Sequence, residues 1–172
     1  MTTTAGSSGN TTTLLATAAD TYVAIGTQLL IDGSFETSGV GANTWIHTPT
    51  VGGWQSSTEI ETWGKGFYGL TASNGNNFAE QDYDTRLSNI FQNVKTEAGA
   101  SYSFSFDFMK RPDSVLGSDT IKVYWNGNWV GTVDPTVSVW HGATFSVIGT
   151  GGIDKIEFIE RSEERRVGKS VD

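Results

Sequence analysis

Residues 101–111 read SYSFSFDFMKR, and their alternation decides the fold. Tyr102, Phe104, Phe106 and Phe108 share one parity, while Ser101, Ser103, Ser105, Asp107 and Arg111 share the other. A strand points successive side chains to opposite faces. A period of two with one greasy and one polar face therefore describes a sheet covered on one side only.

The neighbouring stretches repeat this grammar. Residues 120–133, TIKVYWNGNWVGTV, read as a hairpin, because Asn126-Gly127 supplies the positive φ angles of a type I′ turn. Further strands are expected at 59–63, 77–82 and 87–94, and in the TFSVIG and KIEFIE segments. The stretch TWIHTPT around His47 reads as a loop. Glycine is abundant at 21 residues, aromatics reach 12% and charged residues fall to 17%, with no periodic helical run. About eight short strands with turns between them predict an all-β fold, a β-sandwich of jelly-roll type.

The 172 residues suit one domain with flanking tails. Residues 1–28 are expected to be a flexible Thr/Ser/Gly-rich linker, and the folded body is expected over 29–160. At 161–172 the composition shifts abruptly: Arg161, Arg165, Arg166 and Lys169 fall in RSEERRVGK. That string resembles the translation of a sequencing-library adapter, and SVD resembles a cloning scar. Both point to a gene fragment assembled from metagenome DNA.

The chain has no cysteine, so disulfides and thiolate zinc sites are excluded. A net charge of −8 makes nucleic acid a poor partner. No apolar run is long enough to span a membrane.

Several segments then combine. They are LIDGSFE at 30–36, GW at 53–54, FAEQD at 78–82, NIFQNV at 89–94, SYSFSFDF at 101–108 and DKIEFIE at 154–160. In this order they resemble the jelly-roll carbohydrate-binding modules typified by xylan- and β-glucan-binding families. The variant here is closer to modules of large bacterial secreted and surface proteins. The resemblance implies non-catalytic binding of a polysaccharide or oligosaccharide, by a module of a larger protein that is secreted or on the cell surface. It also implies a structural calcium ion held by the early Glu, here Glu36, and a late Asp; within this chain Asp32 or a nearby backbone carbonyl is the candidate second ligand. Two departures bear on that ion. Asp32 stands where the family often has Asn, and the tail replaces the closing strand that supplies an Asp ligand.

Sugars present apolar C–H faces and polar rims, so rings beside carboxylates and guanidinium groups suit them. Residues 53–70, GWQSSTEIETWGKGFYGL, carry that mixture. Trp54 is read as a ring sealing the core. Glu59, Glu61 and Trp63 share one strand face. Two readings of Trp63 stay open: a ring lining a shallow groove, or a ring packed under a loop. Tyr68 in the glycine-rich GKGFYG is the better platform of its pair, since its hydroxyl suits a wet ligand. Arg111 and Trp140 would line the groove from neighbouring strands, over a low floor of serines at 101–105. The candidate carbohydrate-binding set is Trp63, Tyr68, Glu61, Arg111 and Trp140. A catalytic reading, with Glu61 and Glu80 as acid and base, is weaker, because no nucleophile motif or metal-binding His pair accompanies them. A spacer or adhesin module is the remaining alternative.

Overall fold

In a computed structural model of the chain, residues 13–17 (backbone only), 28–81, 89–114, 116–117 and 119–160 are described. The strands in chain order are β1 (Thr13–Thr17), β2 (Trp45–Val51), β3 (Trp54–Gly64), β4 (Asn77–Glu80) and β5 (Asn89–Lys95). They continue with β6 (Ser101–Phe108), β7 (Ile121–Trp125), β8 (Asn128–Val133), β9 (His141–Ile148) and β10 (Ile153–Glu160). Short 3-10 turns occupy Glu36–Ser38 and Phe67–Gly69, and no α-helix occurs among the described residues.

One sheet has the order β1-β6-β9; the other runs β2-β3-β5-β10-β7-β8, with β4 joined to β3. Every pairing is antiparallel. The expected greasy face of β6 is the core: Tyr102, Phe104 and Phe106 are all buried. Phe158 on β10 meets them from the other sheet, its ring 5.4 Å from Phe104 and 4.8 Å from Phe106. Trp54 completes the contact at 6.0 Å from Phe158 and is 1% exposed, a core ring as read from the sequence. The fold is an all-β sandwich.

The hairpin β7–β8 forms as expected, with Asn126 at φ 50° and Gly127 at φ 76°. Asp154 fastens it to the rest. Its carboxylate accepts from Asn126 Nδ2 at 2.8 Å, Thr96 Oγ1 at 2.6 Å and the Thr150 amide at 2.9 Å. One buried side chain thus ties three connections together at one end of the sandwich. Burial acts to raise the Asp154 carboxyl, but the hydrogen bonds from Thr150, Thr96 and Asn126 outweigh it and hold it below the usual carboxylate range.

The opening segment is clamped by Gln92, which is 2% exposed on the inner face of β5. Its Oε1 accepts from the Ile31 amide at 2.7 Å, and its Nε2 donates to the Ile31 carbonyl at 2.9 Å. Gly53 permits this approach, since a Cβ there would lie 2.9 Å from the Gln92 amide carbon.

Two sequence expectations change. The stretch 45–51, read as a loop, is strand β2. Among the described residues it pairs only with β3, and its ladder shifts register between Thr48 and Thr50. Pro49 sits at that shift, on the kind of edge strand and irregularity where a missing N–H is tolerated. β1 pairs with β6 inside the region expected to be linker. Residues 82–88 and the tail 161–172 lie outside the described residues.

Candidate functional site

On β3, Ile60 and Thr62 are fully buried, and alternation sends Glu61 and Trp63 to the opposite face. Cross-strand pairing sets Trp45 and Phe78 on either side of Trp63, and sets His47 and Glu80 on either side of Glu61. The parity read from the sequence is therefore realised, but the exposure is not. Trp63 is only 2% exposed.

The cover comes from the glycine-rich turn. Gly66, Tyr68 and Gly69 all have positive φ, at 93°, 54° and 71°. The chain doubles back there and lays Tyr68 flat on Trp63, with ring centroids 5.2 Å apart and planes 11° apart. Phe67 meets the same indole edge-on at 5.0 Å. Trp63 is thus a support under a loop. Tyr68, 51% exposed, is the ring that reaches water. A bulky residue in the left-handed region is a genuine outlier, so this ring is held there at a backbone cost.

Glu61 brackets the support. Its Oε1 accepts from Trp63 Nε1 at 2.6 Å, and its Oε2 lies 3.0 Å from His47 Nε2. Trp45, 44% exposed, packs its ring 4.4 Å from the His47 ring. Sequence reasoning missed Trp45, because its neighbours are set by the β2–β3 register.

Arg111, just beyond β6, places its guanidinium 5.4 Å from the Trp63 ring and 5.3 Å from the Tyr68 ring. Its Nε donates to Asp113 at 2.7 Å, its Nη2 to the Tyr68 hydroxyl at 3.4 Å, and its Nη1 lies 3.7 Å from Glu80. Burial disfavours the charge, but Asp113, Tyr68 and Glu80 together hold the guanidinium above its ordinary range. Trp140 donates from Nε1 to the Thr71 carbonyl at 2.8 Å and meets Phe78 edge-on at 5.7 Å. Trp63, Tyr68, Glu61 and Arg111 lie in mutual contact, with Tyr68 the exposed ring and Trp63 beneath it, and Trp140 reaches them through Phe78.

Beside this cluster lies a cavity of about 150 Å³, walled by Trp63, Phe78, Phe106 and Trp140 and edged by Glu80, Asp107 and Arg111. Asp107 accepts a hydrogen bond from Ser73, which joins the polar face of β6 to the loop before β4. The surface is chemically mixed: flat apolar ring area next to planar polar groups.

Asp32 and Glu36, the residues implied for calcium, are engaged otherwise. Asp32 Oδ1 accepts from the Glu36 amide at 2.8 Å, and Oδ2 from the Thr37 amide at 3.2 Å and the Thr37 hydroxyl. Glu36 Oε1 accepts from the Asn76 and Asn77 amides at 2.7 and 2.9 Å. Calcium wants six to eight oxygen ligands. No group of three or more His, Cys, Asp or Glu suited to a metal occurs among the described residues.

No protein-family model and no curated protein matches the chain.

Proposed function

We propose that this chain is a non-catalytic carbohydrate-binding module that stacks a sugar on Tyr68. The reading belongs with a jelly-roll module of a larger secreted or cell-surface protein. One observation carries it. A half-exposed tyrosine ring is fixed in a strained left-handed backbone, flat on a buried tryptophan, with a guanidinium beside both rings. Strained residues cluster where a ligand is held. A preformed platform also avoids the ordering cost of binding. Glu61 serves the platform indirectly, by fixing Trp63 and His47.

The test is affinity electrophoresis of the purified chain through gels containing xylan, mixed-linkage β-glucan or other neutral polysaccharides. Retardation by one of them that Tyr68→Ala abolishes supports the reading. A wild-type chain that runs freely in every gel overturns it. Assay of the same polysaccharides for new reducing ends should find none; their appearance would overturn the non-catalytic reading and make Glu61 and Glu80 the pair to substitute next.

A spacer or adhesin module is the second reading. The bonds of Arg111 to Asp113, Glu80 and Tyr68 favour it, because donors used internally are not offered to a ligand.

A further inference from the structure

A separate surface lies on the open face of the larger sheet. Ile90 and Gln92 of β5, Val123 and Trp125 of β7, and Ile156 and Phe158 of β10 are buried. Alternation therefore turns their neighbours outward. The register then sets a single row across five strands: Trp129, Tyr124, Glu157, Phe91 and Gln55 lie directly opposite one another in turn. At the usual strand spacing this row is roughly 19 Å long. Its outer end is Trp129, 64% exposed, whose Nε1 donates to Thr132 Oγ1 at 3.2 Å and so has a fixed direction.

The charge of this face is opposite to that of the chain. The outward positions of β5, β7 and β10 carry Lys95, Lys122 and Lys155 against one carboxylate, Glu157. Glu157, in the middle of the row, is buried and engaged by Lys155 Nζ at 2.7 Å and Asn89 Nδ2 at 2.7 Å. Lys155 also stands 5.3 Å from the Phe91 ring centroid. The chain as a whole carries −8. Lys155 and Glu157 cancel, so the local surplus is Lys95 and Lys122, which the register sets on opposite sides of the row, beside Ile153 and Ile159. Distant carboxylates are screened within about 8–10 Å at ordinary salt, so each lysine acts on what lands beside it.

We propose that the row from Trp129 to Gln55 binds an acidic polysaccharide. The sugar rings stack on Trp129 and Phe91, and the sugar carboxylates meet Lys95 and Lys122 on either side of the row. A polyuronate matches the mixture, since it carries one charge per sugar and apolar ring faces between charges. Nucleic acid matches less well, because its dense phosphates demand many more cations than two. This surface shares no residue with the Tyr68 platform.

The probes are polygalacturonate and alginate, with a neutral β-glucan and a DNA oligonucleotide as comparisons, tested on the full chain by affinity electrophoresis and calorimetry. Wild type is expected to bind a polyuronate more tightly at low than at high salt. Trp129→Ala should weaken binding by roughly tenfold or more, as removal of a central ring does. Its melting temperature should hold, because the ring is mostly exposed. Lys95→Gln with Lys122→Gln should flatten the salt dependence, while Tyr68→Ala should leave polyuronate binding intact. The proposal is overturned if neither polyuronate binds at low salt, or if Trp129→Ala binds as wild type does. It is equally overturned if the oligonucleotide binds as tightly as the polyuronates, because the face would then be a general polyanion surface.

Discussion

Replacing Tyr68 separates backbone strain from ring contacts. Both Tyr68→Ala and Tyr68→Gly remove the ring. About half of it is buried, so roughly 100 Å² of contact is lost, or about 2 kcal/mol after allowing for a compact unfolded chain. The parallel stack on Trp63 adds about 0.5–1.5 kcal/mol. Tyr68→Ala should therefore be about 3 kcal/mol less stable than wild type. Alanine also keeps the left-handed penalty, about 1–2 kcal/mol, which glycine escapes. Glycine loses about 0.4–1 kcal/mol of that advantage through its freer unfolded chain. At φ 54° the glycine variant should thus be the more stable of the two by about 0.5–1 kcal/mol, the reverse of the order at an ordinary position. Urea unfolding monitored by tryptophan fluorescence resolves such a difference through the midpoint. Neither variant should be retarded by a polysaccharide that retards wild type. A glycine variant less stable than the alanine variant would refute the strained-platform reasoning. Retained binding in either variant would remove Tyr68 from the site.

Trp63→Ala should cost about 3–5 kcal/mol, as truncation of a buried tryptophan does, and lower the melting temperature by well over 5 °C in a scanning melt. A change within a degree would mean that the ring is not the support described. Asp154 has a depressed folded-state pKa, so the stability it contributes is complete above the ordinary aspartate range near pH 4 and is lost as pH falls through the lower folded value. Asp154→Asn should therefore flatten the acid limb of a stability–pH curve, and an unchanged limb would contradict the assignment. Melting in millimolar calcium and in chelator should coincide, because Asp32 and Glu36 serve amide donors; a clear calcium-induced rise would place an ion there by mass action.

Part of this was legible from residue order alone. Alternation at 101–108 fixed which face of β6 is core, since the period of a strand is local geometry. Asn126-Gly127 fixed its hairpin, since φ preference belongs to the residue. The same parity rule put Glu61 and Trp63 on one face of β3. It did not predict what covers that face, because cover is supplied by segments distant in sequence. The turn at Phe67–Gly69, Arg111 after β6 and Trp140 before β9 reach Trp63 and Phe78 only once the sheets are packed. That packing exchanged the roles of two rings, burying Trp63 and leaving Tyr68 at the surface. It also turned a proline-containing loop into an edge strand, which carried Trp45 and His47 beside the site. The row from Trp129 to Gln55 is a product of register across five strands, and register is a relation between segments that no one segment contains.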